Sequence, residues 1–348
     1  MSVIEKESPG VYSDYENSGT VWANKTNTKV GLVASILADV GTVYNISKIS
    51  QAKSAFGSDS LVTNLCKTVL QNGDSQVVLV SAGNTGSGYE SAFSVIESQD
   101  DIGVVICDSE LLSVHTLLMN SVVVSSQNLK EQIGIAACSS SESNKEIWAS
   151  SFNNERMILV AQNSIDDSGS TLSGCILAAA LAGVISKMKS PANPLNGVPL
   201  KGITKLASDL NEDDIDNYIS LGITPFEVVA DKVKIIRAVT SKTKTNGVLD
   251  ESFKEINVIL IIDEIVKEIR TLLKSNFVGA KTTSNTRKAM SSQTALKLQE
   301  FLNKKIITDY ALPELSLQEG NTNVCSVNLD FSVGKVLNQV HITADILI

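Results

Sequence analysis

Val77 to Ile106 reads VVLVSAGNTGSGYESAFSVIESQDDIGVVI. Two short apolar runs, Val77–Val80 and Val104–Ile106, flank a segment whose apolar residues recur at helical spacing from Tyr89 to Glu97. Strands without polar alternation have both faces buried, as a parallel sheet covered by helices requires. The stretch therefore predicts strand, helix and parallel strand, joined by a right-handed crossover.

The same unit repeats outward. Upstream, Val30–Ile36 reads as a strand and Ser60–Leu70 as a helix. Downstream, a helix from Leu111 leads to the strand Ile133–Ala137, and a helix around Glu146 leads to Met157–Val160. An Ala-rich helix, Leu172–Lys187, closes the series. Residues 29–190 are thus expected to form an α/β domain, an open mixed or parallel sheet flanked by helices. Lys189–Pro199 holds three of the six prolines, so helix cannot run through it, and 191–203 reads as a linker.

Beyond it, residues 204–334 change character. Asp213–Leu221 reads as a helix, and the acids Glu212, Asp213, Asp214 and Asp216 suit its N-terminal dipole. Phe226–Val229 and Val233–Val239 read as a strand pair turning at Ala230-Asp231-Lys232, followed by helices over Ser252–Ser275 and Thr286–Lys304. From Cys325 to Val333 the odd positions are Cys, Val, Leu, Phe and Val and the even ones polar, which predicts a half-buried strand. After Gly334-Lys335, Val340, Ile342, Ala344, Ile346 and Ile348 form a second apolar face. The expectation is an α+β region with a terminal β-hairpin, and extended arms at 1–28 and 335–348. An apolar terminal strand either pairs within its own sheet or docks on another subunit.

Composition narrows the chemistry. With 43% hydrophobic and 19% charged residues, disorder is not expected. The nearly apolar run Leu172–Ile185 falls short of the ~20 residues of a membrane span. Met1–Glu7 has no basic segment leading into an apolar one, so no secretion signal is expected either. The five cysteines, 66, 107, 138, 175 and 325, form no C-x-x-C pair and read as buried thiols. His115 and His341 are the only histidines, and neither sits beside a nucleophile motif or a ligand cluster. Gly83-Asn-Thr-Gly86-Ser-Gly88 lacks both the dinucleotide spacing and G-x-x-x-x-G-K-S/T, so it reads as a surface loop. No catalytic residue, cofactor or metal is expected. A hydrolase on an α/β core would need Asp, His and Ser in suitable neighbourhoods, which the sequence does not offer.

Charge is unevenly placed. The chain carries 29 basic and 38 acidic side chains, a net −9, and residues 1–200 alone hold 11 against 19. Yet Arg270, Lys274, Lys281, Arg287, Lys288, Lys297, Lys304 and Lys305 share their stretch with one acid, Glu300. A solvated helix face and a contact with an acidic protein surface both account for this. Nucleic acid is not expected, because only Phe277 and Phe301 accompany the bases.

Several segments, in order, resemble a contractile tail sheath protein, the family of phage, phage-tail-like bacteriocin and contractile injection system sheaths. Ser8-Pro-Gly-Val-Tyr12 with Tyr15-Glu16-Asn17 is similar to the family's opening. So are Asn153-Asn-Glu-Arg156-Met-Ile-Leu-Val160, Ala178–Gly183, Pro191–Leu195 and Leu200–Ile203. Leu221-Gly-Ile223, Val233–Thr240 and Gly247–Asp250 continue the pattern, with Ser241 where the family carries a second threonine. The chain is shorter than many sheaths and looks like a minimal core version.

The resemblance implies a structural subunit with no cofactor. It implies stacked, usually six-membered rings forming a helical homopolymer around a tail tube protein, with baseplate and tail terminator proteins as further partners. Neither nucleic acid nor membrane insertion is implied. It places assembly in the bacterial cytoplasm, within a tail or tail-like particle released on lysis. Arms that cross between neighbours fall on Pro9, Gly10, Val11, Tyr12 and Tyr15, and on Val340, Ile342, Ala344, Ile346 and Ile348. Arg270, Lys274, Lys281, Arg287 and Lys288 are the candidates to face the tube. A self-assembling filament unrelated to sheaths is the other reading.

Overall fold

Runs of buried valine, isoleucine and leucine set the centre of the molecule. The computed structural model describes residues 28–73, 76–84, 88–138, 144–318 and 321–334. The chain runs β1 (Lys29–Ala34), β2 (Val43–Ile46), α1 (Ile49–Phe56), α2 (Leu61–Asn72), β3 (Val77–Ser81), α3 (Tyr89–Ser98), β4 (Ile102–Cys107), α4 (Leu112–Gln127), β5 (Ile133–Ala137), α5 (Lys145–Ser150) and β6 (Met157–Val160). These strands form one six-stranded sheet in the order β2-β3-β1-β4-β5-β6. All pairings are parallel except that of β2 with β3.

Every residue of β3, β5 and β6 is buried, so the unbroken apolar runs have their cause in helices on both faces. Successive residues serve opposite layers. Leu79 joins the core with α2, whereas Val78 and Val80 pack with Phe93 and Ile96 of α3 and Leu118 of α4. β2 and α1 were not anticipated. β2 is a partly exposed edge whose Tyr44 and Asn45 interrupt any apolar signal.

Next come β7 (Ser164–Ile165), α6 (Cys175–Ser186), β8 (Lys205–Leu206), α7 (Glu212–Ser220), β9 (Phe226–Val229) and β10 (Lys232–Ile235). α6 is buried almost all round, and its small residues allow close approach to α2. A Cβ on Gly183 would lie 2.6 Å from the Val69 carbonyl oxygen. The proline-bearing segment lies against the same core as the sheet: Leu195, Leu200 and Ile203 are buried in it. Asn72 fixes the segment through both atoms of its amide, accepting from Lys201 N at 2.7 Å and donating to Lys201 O at 3.0 Å. The acid run does start α7, capped by the Asn211–Asp214 exchange. β9 and β10 turn on two residues, Ala230 and Asp231, both at positive φ, so Lys232 belongs to the strand and β10 stops at Ile235.

The remaining elements are β11 (Lys244–Thr245), β12 (Val248–Leu249), α8 (Ile256–Phe277), α9 (Ser284–Asn303), β13 (Asp309–Tyr310), β14 (Glu314–Gln318), β15 (Asn321–Asn328) and β16 (Phe331–Ser332). α8 buries Ile256, Ile259 and Ile262 in the sheet's core. Its Ile261, Ile265, Ile269 and Leu273 enter a second core with Leu298 and Phe301 of α9. The expected strand Cys325–Val333 is divided. β15 pairs with β14, then Leu329-Asp330 carries the chain over to β16, which pairs with β13. Pro313, between β13 and β14, cannot donate to a ladder, which breaks the opposing strand. The alternation survives the break, for Val327, Leu329, Phe331 and Val333 all pack on the second core.

Candidate assembly surfaces

Two arginines decide how α8 sits. Arg156, 4% exposed, makes a two-pronged contact with Asp263 of α8 at 2.8 Å for each prong, and also donates to Gln132 O at 3.2 Å. Two helical turns on, Arg270 of α8 pairs with Glu131, in the loop before β5, and donates to Leu129 O at 3.4 Å. The pairs run in opposite senses, one arginine on the body and one on the helix. Arg156 stood among the resemblance residues, but its partner, more than a hundred positions away, carried no sequence signal.

This geometry removes Arg270 from the tube-facing set. It is 9% exposed and its guanidinium is held by Glu131, so it turns inward, where a partner surface cannot reach it. The rest of the basic stretch divides likewise. Lys297 pairs with Glu268 and Glu300, and Lys304 also with Glu300. These carboxylates hold the Lys297 ammonium above its usual range against the opposing effect of burial. Lys274, Lys281 and Lys288 are exposed and Arg287 half-exposed, with no ion pair among the described residues. They cluster at the far end of the α8–α9 hairpin, around its connecting turn.

β14 and β15 pair with each other and, among the described residues, with no third strand, so each keeps an outer edge. The arm residues Pro9, Gly10, Val11, Tyr12, Tyr15, Val340, Ile342, Ala344, Ile346 and Ile348 lie outside the described residues.

The carboxyl end of the sheet, between β1 and β4, is where doubly wound folds take ligands. Here the chain's own groups meet there. Asp108 accepts from Ser35 N at 2.9 Å and from the Tyr89 hydroxyl at 2.5 Å, and burial raises the pKa of both acids. Glu110 accepts from Ser173 Oγ at 2.7 Å and Gly174 N at 2.9 Å, occupying the N-terminus of α6. Val40 lies over Gly83 and Gly88 before α3. His115 is fully buried: Trp148 Nε1 donates to its Nδ1 at 3.1 Å, and its Nε2 lies 2.8 Å from Ser109 O. Burial holds this imidazole neutral, its pKa lowered to about 4. Cys66, Cys107, Cys138 and Cys175 are buried free thiols, as expected, while Cys325 is half-exposed. Among the described residues no group of three or more His, Cys, Asp or Glu could hold a metal ion, and no helix is long and apolar enough to cross a membrane.

Asn246-Gly247, a dipeptide suited to a tight hairpin turn, marks a feature that the sequence reading passed over. β11 and β12 form a small hairpin with Asn246 and Gly247 at positive φ in its turn. Val248 and Leu249 are 70% and 77% exposed. Asn153 anchors it from another part of the chain, donating to Lys244 O and accepting from Thr243 N and Lys244 N, each at 3.0 Å.

The phage tail sheath protein central domain matches residues 82–241, and the phage tail sheath C-terminal domain matches residues 249–346. No curated protein sequence matches. Among solved structures, the sheath tail protein of Listeria innocua is 12% identical with a TM-score of 0.72, covering 89% of this chain and 93% of its own. The anti-feeding prophage helical sheath in its contracted state is 12% identical with a TM-score of 0.73, covering 98% of this chain and 99% of its own. A chain of the six-fold symmetrised anti-feeding prophage baseplate gives 13% identity, a TM-score of 0.73 and the same coverage.

Proposed function

The chain belongs to the phage tail sheath protein family, and from that premise we propose that it polymerises as stacked rings around an inner tail tube and contracts to drive the tube through a target envelope. The observation that carries this reading is the double match, central and C-terminal domain in family order, over most of the chain. Its likeness to a contracted sheath along 98% of its length supports the contractile part.

Neighbours are joined by strand addition. The arms 1–28 and 335–348 of adjacent subunits lie along the open edges of β14 and β15, where main-chain hydrogen bonds give strength and alternate apolar side chains fix register. Contraction draws on surface newly buried between subunits and requires no nucleotide. Lys274, Lys281, Arg287 and Lys288 face the tube, where a screened contact holds the extended lattice and releases readily. The baseplate and a tail terminator bound the polymer, and the particle assembles in the bacterial cytoplasm for release on lysis.

Negative-stain electron microscopy of the full chain, and of a form lacking 340–348, tests the polymer. Tubes from the first and none from the second are expected; monodisperse particles from both overturn strand exchange. Two lattices, extended and contracted, separate a sheath from an ordinary filament. With tube protein added, the triple variant Lys274→Glu, Lys281→Glu, Lys288→Glu should fail in templated assembly, and unaltered assembly would sink the tube-facing assignment.

A further inference from the structure

The most exposed apolar side chains of the α/β body share one end, while Leu61 and Val124, elsewhere on it, are 37% and 39% exposed. Leu37 (89% exposed) and Val40 follow β1, Leu111 (65%) and Leu112 follow β4, and Ile147 (63%) follows β5. β1, β4 and β5 are parallel and adjacent, so all five residues lie at the carboxyl end of the sheet. The Ser35–Asp108 and His115–Trp148 hydrogen bonds tie the three connections side by side, which makes the residues one rim. A concentrated exposed apolar patch marks an interaction surface.

The β11–β12 hairpin stands at the other end. Its root is fixed by Ser241 N donating to the carbonyl of Met157, the first residue of β6, at 2.8 Å, and by Asn153 just before that strand. Val248 and Leu249 are thus held out from the amino end of the same sheet. The three hydrogen bonds from Asn153 and the two-residue turn hold the hairpin ready for contact, so little order is lost on binding.

We infer that the Val248-Leu249 hairpin of one copy docks on the Leu37, Leu111 and Ile147 rim of the next copy. The two surfaces match in character: both apolar, both open, at opposite ends of one rigid sheet. Charge agrees as well. Lys242, Lys244 and Lys254 outnumber Asp250 and Glu251 around the hairpin, with Glu251 paired to Lys254, whereas Asp39, Glu90 and Glu146 are exposed along the rim. A contact between unlike ends of one molecule is head-to-tail and does not close on two copies, so it propagates. The inference rests on the polymer reading and adds a body-to-body contact separate from the arms.

The test introduces Leu249→Cys together with Leu111→Cys or with Ile147→Cys in the full chain, and oxidises assembled particles with copper phenanthroline. A ladder of dimers and higher species on a non-reducing gel is expected from at least one pair. The single variants, and Leu249→Cys with Val124→Cys near the opposite end of α4, should give none. Tubes without a ladder overturn this contact, as does a ladder from the Val124→Cys control. Absence of tubes from the unsubstituted chain overturns the polymer reading itself, and the two failures are told apart by microscopy before oxidation.

Discussion

Replacing Asp263 with alanine should leave the Arg156 guanidinium buried and without its carboxylate. Arg156 is 4% exposed and the Asp263 side chain 13% exposed, so water cannot replace the lost partner. Breaking a buried pair by removing one member costs about 3–5 kcal/mol. With about 2.1 cal/mol/K of unfolding entropy per residue, a chain of 348 residues has roughly 0.7 kcal/mol/K at its midpoint. The thermal midpoint should therefore fall by about 4–7 °C. Scanning calorimetry at two protein concentrations separates this shift from any contribution of self-association. Arg156→Met with Asp263→Leu, which removes both charges, should recover most of the loss, and the double-mutant cycle then gives the coupling. Asp100→Asn is the surface comparison: Asp100 is 82% exposed opposite Lys130 and should leave the midpoint in place. A shift below about 1 °C for Asp263→Ala, or a double variant as unstable as the two losses summed, would refute the argument.

His115 gives a pH dependence. Its pKa is about 4 in the fold against 6.5 when free, so between those values the unfolded chain binds a proton that the native chain does not. Stability present above pH 6.5 should fall by about 3 kcal/mol as pH drops to 4, and His115→Gln should remove that component from the midpoint–pH profile. Gly183→Ala places a methyl against the Val69 carbonyl and should cost about 1–3 kcal/mol, read as a lowered urea midpoint. Phe301→Ala, at a fully buried position in the second core, should cost about 3–5 kcal/mol. Hydrogen exchange should place that loss in α8 and α9 ahead of the sheet.

The sheet was legible because its strands are buried on both faces. Ile133–Ala137 and Met157–Val160 show no polar alternation, and their bounds match β5 and β6. β2 escaped notice because an edge strand with Tyr44 half-buried and Asn45 exposed has no such run. The odd-numbered face of Cys325–Val333 was readable, but the division at Leu329-Asp330 depends on which strand lies opposite. The basic stretch was visible as a tally of residue types. A tally does not say which side of a helix a side chain takes, and Arg270 faces inward beside Glu131 while Lys274, one turn on, is exposed. The anchoring of the β11–β12 hairpin joins one side chain to backbone some ninety positions away, a relation no local pattern encodes.

The two arginine–carboxylate pairs that join α8 to the body have a mechanical consequence. Turning the helix against the sheet would break both contacts at once, at about 6–10 kcal/mol, an order of magnitude above thermal energy. α8 therefore works as a lever welded to its mount, and its last turn, which begins about 6 Å past Arg270, carries Lys274 wherever the body goes. A rotation of the body by a few degrees is passed on to Lys274 through the helix. Flexing within this part of the molecule requires both pairs to open together.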